Sequence, residues 1–329
     1  MVRGLRRLPR AALLVLVALG LPLAACASLL DLKELPLVPS DASRDTAPLA
    51  DASDGACAPR GPNFCEQLCP PADFCDDFEG SRLGAKWVPI FGVQNPIISG
   101  DGKMSLATDT TGSGTQSLLA EVTSSSDQSA SAVLLTGLDK AVTGRKPRGL
   151  RVVLDAHPPV VAWTQDGGTT RKTLSFLAVG SQAANRGVGV LLVDDDASGD
   201  LRIVLQQRAL GGGGGQIDLL SAVTAKATDF TRNWLTLEVI VGTPALLQEL
   251  AIPCALPDAG ADDAGVDAGP DDMKFVIRLG ALGTRCAALR EELVSRSWLT
   301  SAALIAGAAI SDFGTARVFI DNVAVTFLD

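Results

Sequence analysis

Glu238 stands alone between Leu237 and Val239. Cleaving a glycosidic bond takes two carboxylates facing each other across it, and the chain has no Glu-x-Asp-x-Glu run to supply them. Strand alternation puts Glu238 on a polar or cleft face without a carboxylate partner. His157 is the sole histidine. Asp155-Ala156-His157 has the makings of an acid/base pair, but Pro158-Pro159 follow and no Gly-x-Ser-x-Gly nucleophile accompanies them, so an exposed loop histidine is expected. Asp194-x-Asp196-x-Ser198-Gly199 has the spacing of half a calcium loop. Leu205 stands where the closing bidentate glutamate belongs, which leaves a plain polar turn. Trp163, beside Thr164-Gln165-Asp166-Gly167-Gly168, reads as a loop residue and as the best platform for stacking a sugar. Packing is the competing use of that ring.

Six cysteines besides Cys26 divide into Cys57, Cys65, Cys69 and Cys75 near one end and Cys254 and Cys286 far along the chain. The last two flank a loop and are expected to pair with each other. The first four read as disulfides stapling the start of the folded part, in about 15 conceivable pairings over all six. No histidine lies among them and their spacing is looser than a zinc ribbon's, so zinc is disfavoured.

The elements that must position these groups are short apolar runs separated by Gly, Asp, Ser and Thr. Candidate strands are Met104–Ala107, Ser117–Val122, Ala130–Leu135, Leu150–Asp155, Leu174–Val179, Gly187–Val193, Leu201–Gln206, Ile217–Val223, Trp234–Val241, Lys274–Leu279 and Ala316–Phe327. Many short strands with turn signals between them predict an all-β sandwich. Ala287–Val294 is the best helix candidate, and Ala302–Ala309 is ambiguous between helix and buried strand. Gly211–Gly215 lacks the lysine and serine of a phosphate loop. The Asp-Ala-Gly tract Pro257–Asp272 reads as a solvated inserted loop rather than a calcium repeat.

Arg3, Arg6, Arg7 and Arg10 precede an apolar run from Ala11 to Leu23. That run is short of the ~20 residues a membrane-crossing helix needs, so a cleaved export signal is the better reading. Leu23-Ala24-Ala25-Cys26 resembles a bacterial lipobox. The resemblance implies cleavage before Cys26, a diacylglycerol thioether on it and usually an acyl chain such as palmitate on its new amino group; two or three chains anchor a protein almost permanently. Ala27 in place of aspartate favours the outer membrane of a Gram-negative cell, facing periplasm or surface. From Leu29 to about Arg60 proline, serine and aspartate dominate without a sustained period, which predicts a disordered tether. The expected divisions are therefore 1–25 signal, 26–62 lipidated tether and 63–329 sandwich. A net charge of −9 over 329 residues argues against nucleic acid, which demands a basic face.

Phe74-Cys75-Asp76-Asp77-Phe78-Glu79-Gly80, with Leu83 and Trp87, and Val318-Phe319-Ile320-Asp321-Asn322-Val323-Ala324-Val325 resemble the opening and closing strands of concanavalin A-like lectin/glucanase (LamG-like) domains. Trp234-Leu235-Thr236-Leu237-Glu238-Val239 resembles another strand of that superfamily. The likeness implies a jelly roll of two antiparallel sheets with the first and last strands side by side, and core positions for Trp87 and Trp234. It also implies a structural calcium ion there, on Asp77, Glu79 and Asp321. Strict alternation puts Phe319, Asp321, Val323, Val325 and Phe327 on one face, and a buried carboxylate needs a cation or several donors. Backbone amides are the alternative to calcium. The function expected is a non-catalytic binding or adhesion module for glycan. A diverged glycoside hydrolase or lyase using Glu238, and a structural lipoprotein docking another envelope protein, are the alternatives.

Overall fold

The structure is a computed structural model that describes residues 63–90, 94–125, 129–163, 172–184, 186–194, 200–209, 217–226, 231–252, 254, 272–279, 283–290, 293–311 and 314–329. The export signal, Cys26, the tether, Cys57, the glycine tract and positions 195–199 and 255–271 of the two aspartate-rich stretches lie outside these residues. No helix among the described residues is long and apolar enough to cross a membrane.

Alternating apolar residues along extended segments dictate two layers. The strands are β1 (Phe74–Asp76), β2 (Ile97–Ser99), β3 (Asp101–Ala107), β4 (Ser117–Ser124), β5 (Ala130–Gly137), β6 (Gly149–Trp163), β7 (Lys172–Ser181) and β8 (Arg186–Asp194), then β9 (Asp200–Ala209), β10 (Ile217–Lys226), β11 (Leu235–Gly242), β12 (Lys274–Arg278), β13 (Thr284–Ala288), β14 (Ala302–Ser311) and β15 (Gly314–Leu328). Among the described residues they form a jelly-roll sandwich of two antiparallel sheets. One is eight-stranded, β13-β12-β11-β6-β15-β4-β3 with β1 added to β15, and the other is seven-stranded, β10-β9-β8-β7-β14-β5-β2. The core lies between them, where Leu118, Leu134, Leu150, Leu154, Leu174, Leu177 and Phe275 are fully enclosed.

Sequential pairing closes the domain on itself. β1 runs antiparallel to β15, with Phe74, Cys75 and Asp76 opposite Val325, Ala324 and Val323, so the opening and closing segments lie side by side as expected. The buried Asp76 accepts the indole N–H of Trp87 at 2.8 Å, and Phe74 meets that ring edge-on. Trp87 is a core residue, as expected.

Ala302–Ala309 resolves as the central strand β14, hydrogen-bonded to β5 and β7. Its small residues suit a strand enclosed on both faces. The expected helix at Ala287–Val294 is corrected: Ala287 pairs with Phe275 in the edge strand β13. Cys286, the preceding residue, is disulfide-bonded to Cys254 as predicted. Cys65 pairs with Cys75, and Cys69 is also disulfide-bonded.

Two bulges decide which side chains reach the outer face of the eight-stranded sheet. Pro158 and Pro159 fall where the register between β6 and β15 slips, Arg317 facing Val160 and Phe319 facing His157. The second slip lies between Asp321 and Ala324, around Asn322 with φ of 53°. An extra residue in a strand reverses the alternation beyond it. Phe319, alternating with the core residues Val318 and Ile320, lies on the outer face but is buried there at 2% exposure against Ala107 and Leu119, whereas Val323, Val325 and Phe327 beyond the second bulge lie in the core, which corrects the single face expected for all of them.

Candidate functional site

The outer face of the eight-stranded sheet brings together most of the chemistry-bearing residues. His157 is not on a loop: it sits on β6 opposite Phe319, its ring 5.6 Å from that of Trp234 and 6.3 Å from that of Phe319. Proline removes the backbone donor and stiffens the chain, and here the Pro-Pro pair makes a bulge within the strand rather than ending it. His157 Nε2 lies 3.0 Å from the Thr231 carbonyl oxygen. A carbonyl only accepts, so in neutral imidazole Nε2 carries the hydrogen and Nδ1 keeps its lone pair. Nδ1 is enclosed and makes no hydrogen bond.

Trp234 does not occupy the main core. It is half-buried against Ala107, Leu119 and Phe319 on the outer face, just ahead of β11. Arg317, half-exposed, lays its guanidinium 5.1 Å above the Phe319 ring, with Nε 3.4 Å from Glu121. Trp234, His157, Phe319 and Arg317 thus form a continuous row across neighbouring strands.

Asp155 and Asp321 are cross-strand partners beside this row. Asp155 accepts the Thr236 hydroxyl at 2.6 Å and the Asn322 side-chain amide at 2.7 Å. Asp321 is fully buried and accepts the backbone N–H groups of Gly112, Ser113 and Asn322 at 3.1, 2.9 and 2.8 Å. Burial pushes its carboxyl up to about 6 despite those amides, with a smaller contribution from the neighbouring Asp155. Glu79 holds the other end of the same loop, accepting from the Thr115 and Gln116 amides and the Thr115 hydroxyl. Burial works against its charge, but these bonds hold its carboxyl below the usual range.

The three carboxylates expected to share calcium are therefore served separately, Asp77 by Lys86 at 3.4 Å and the other two by loop donors. No group of three His, Cys, Asp or Glu suited to a metal occurs among the described residues. The donors in place fit the amide alternative for Asp321 and do not fit a calcium shell.

Glu238 has partners that spacing concealed: Arg151 Nε at 2.6 Å and Arg278 Nη1 at 3.0 Å, brought from β6 and β12 by the flanking registers. Both carboxylate oxygens are engaged. Trp163 lies elsewhere. Beyond the Pro-Pro bulge it turns inward at the end of β6, packs against the core and covers Gly314, where any Cβ would clash with the ring. Reasoning from sequence missed Arg317, Phe319 and Thr236 as members of the face. Arg317-x-Phe319 and Trp234-x-Thr236 do carry a period-two signal, but only register shows that they meet.

No family model matches this chain, and no curated protein matches it. Solved structures do. An endo-β-1,4-glucuronan lyase from the fungus Trichoderma reesei is 11% identical over 72% of this chain and 92% of its own, with a TM-score of 0.38. An alginate lyase from Klebsiella pneumoniae is 7% identical over 66% and 83%, with a TM-score of 0.40. A laminarinase from Flavobacterium sp. UMI-01 is 9% identical over 77% and 98%, with a TM-score of 0.37. Likeness at this level assigns no activity to this chain. The expectation of a non-enzyme is corrected to this extent: all three similar structures are of enzymes.

Proposed function

We propose that this chain is an exported envelope protein, lipid-anchored through Cys26, whose eight-stranded sheet recognises a saccharide on its outer face. The row of partly exposed Trp234, His157 and Arg317, floored by the buried Phe319, carries the reading. Sugars present an apolar ring face and a fringe of hydroxyls, and a site for them combines an aromatic surface with a few fixed polar groups. Asp155 and Thr236 are such groups, bonded to each other and held in place by the buried Asn322. The anchor supplies the address, as two acyl chains suffice to hold the protein at a membrane.

A glycan array probed with the mature chain tests this. Binding that falls with Trp234→Ala and with Thr236→Ala supports the reading, and a blank array with adhesion unchanged by either substitution refutes it. Incorporation of a clickable fatty acid that stops in Cys26→Ser tests the anchor.

His157 Nδ1, enclosed and without a hydrogen bond, favours a second reading, in which a glycan seated on the face displaces the side chain covering that nitrogen and is broken there. A neutral imidazole with its other nitrogen fixed is a suitable proton acceptor. New reducing ends or unsaturated products that vanish in His157→Gln support cleavage; equal release by the variant removes His157 from it.

A further inference from the structure

We propose that the saccharide taken by this face is anionic, with its carboxylate or sulfate group held by Arg317 and by Lys103 beside it. This deepens the saccharide reading and rests on it.

The described arginines around this sheet differ sharply in what occupies them. Arg145 is spent on Asp73, Asp329 and the Phe327 carbonyl, and Arg148 makes a two-pronged pair with Glu249. Arg151 and Arg278 close on Glu238. Arg317 has no such commitment. Its Nε is enclosed near Glu121 without hydrogen-bond geometry, and no described group accepts from Nη1 or Nη2. Phe319 beneath supports the guanidinium as a flat plate, which costs little desolvation and leaves the planar fork free. A fork of that kind matches the two oxygens of a carboxylate or sulfate.

The neighbours complete an anion site. Lys103 is exposed and stands directly across β3 and β4 from Glu121, which in turn faces Arg317 across β4 and β15. Two cations thus flank one carboxylate, and Asp101, across from Thr123 in the next row, is the other acidic group of this patch. One row further along the same two strands, the hydroxyls of Thr123 and Thr315 lie 3.3 Å apart and exposed, suited to sugar hydroxyls. Arg317 and His157 both rest on Phe319, so an acidic group on the arginine continues into the aromatic row.

Calorimetry of the mature chain against three probes tests the proposal: a uronic acid oligosaccharide, the same oligosaccharide with its carboxyl groups reduced to alcohols, and a sulfated neutral glycan. We expect one or both acidic probes to bind at least about tenfold more tightly than the reduced one, with added salt weakening the acidic binding alone. Which acidic probe binds separates carboxylate from sulfate. Arg317→Ala should abolish that preference and Arg317→Lys restore part of it. Lys103→Ala, at an exposed site that leaves the fold alone, should weaken acidic binding several-fold. Equal binding of the acidic and reduced probes, or a preference untouched by both Arg317→Ala and Lys103→Ala, overturns the proposal while leaving saccharide recognition standing. Absence of binding to all three, together with a blank array, removes the parent reading as well.

Discussion

Asp321 shows how one carboxylate can fasten a loop and still work against the fold. It receives three backbone N–H bonds, yet burial raises its carboxyl from 3.8 to about 6. A group bound more tightly to its proton in the folded state stabilises that state below its unfolded value, and the benefit is lost as pH rises through its folded value. Between about pH 4 and pH 6 Asp321 therefore makes stability fall as pH rises. Thermal melts of Asp321→Asn over this window should show a flatter dependence than the parent, the difference reaching roughly 2 kcal/mol. Parallel curves would exclude Asp321 as the source. Trp87 presents the opposite case, a buried donor that completes Asp76. Trp87→Phe keeps most of the packing but removes the indole N–H, and denaturant unfolding should report a loss of about 1–3 kcal/mol.

Strands carry the face, and their irregularities aim it. Asn322 occupies the left-handed region at φ of 53°, which asparagine tolerates and β-branched residues do not. It also donates to Asp155 and accepts from Ser113. Asn322→Gly should keep the bulge and lose only those bonds, whereas Asn322→Val should lose both and destabilise by a further ~1–3 kcal/mol in chemical denaturation. Equal losses would mean that the bulge imposes no conformational demand. The sequence supports the strands well: β4, β5, β7 and β11 are visible as apolar runs, since burial on one or both faces leaves a mark of period two or a continuous stretch. It does not foretell the bulges. Pro158-Pro159 reads as the end of a strand, and Asp321-Asn322 reads as uninterrupted alternation. Each slip transfers every later side chain of the strand that carries it to the opposite face, which is why Trp163 turns inward at the end of β6 and why Val323, Val325 and Phe327 part company with Phe319.

At the scale of the molecule, disulfides and the pairing of β1 with β15 hold the sandwich's margins. Cys254 and Cys286, separated by 32 positions, join the residues after the helix Pro244–Glu249 to the edge strand β13. Double substitution of Cys254 and Cys286 by alanine should lower stability by about 2–4 kcal/mol, because the unfolded chain regains loop freedom. Unchanged melting under oxidising conditions would show that β13 is held by its ladder and its buried contacts alone. The face survives such a change in so far as Arg151, Glu238 and Arg278 keep their registers.

The sequence by its own pattern specified the all-β class, the position of most strands and the pairing of Cys254 with Cys286, because these depend on periodicity and on where segments fall along the chain, and the resemblance to concanavalin A-like domains implied the meeting of the first and last strands. Tertiary structure alone decided that His157, Trp234, Phe319 and Arg317 share one surface and that Glu238 is closed by two arginines. It also decided that Asp77, Glu79 and Asp321 answer to different donors. Those relations join residues from separate strands, and a one-residue change of register, which leaves the hydrophobic pattern nearly intact, is enough to make or break them.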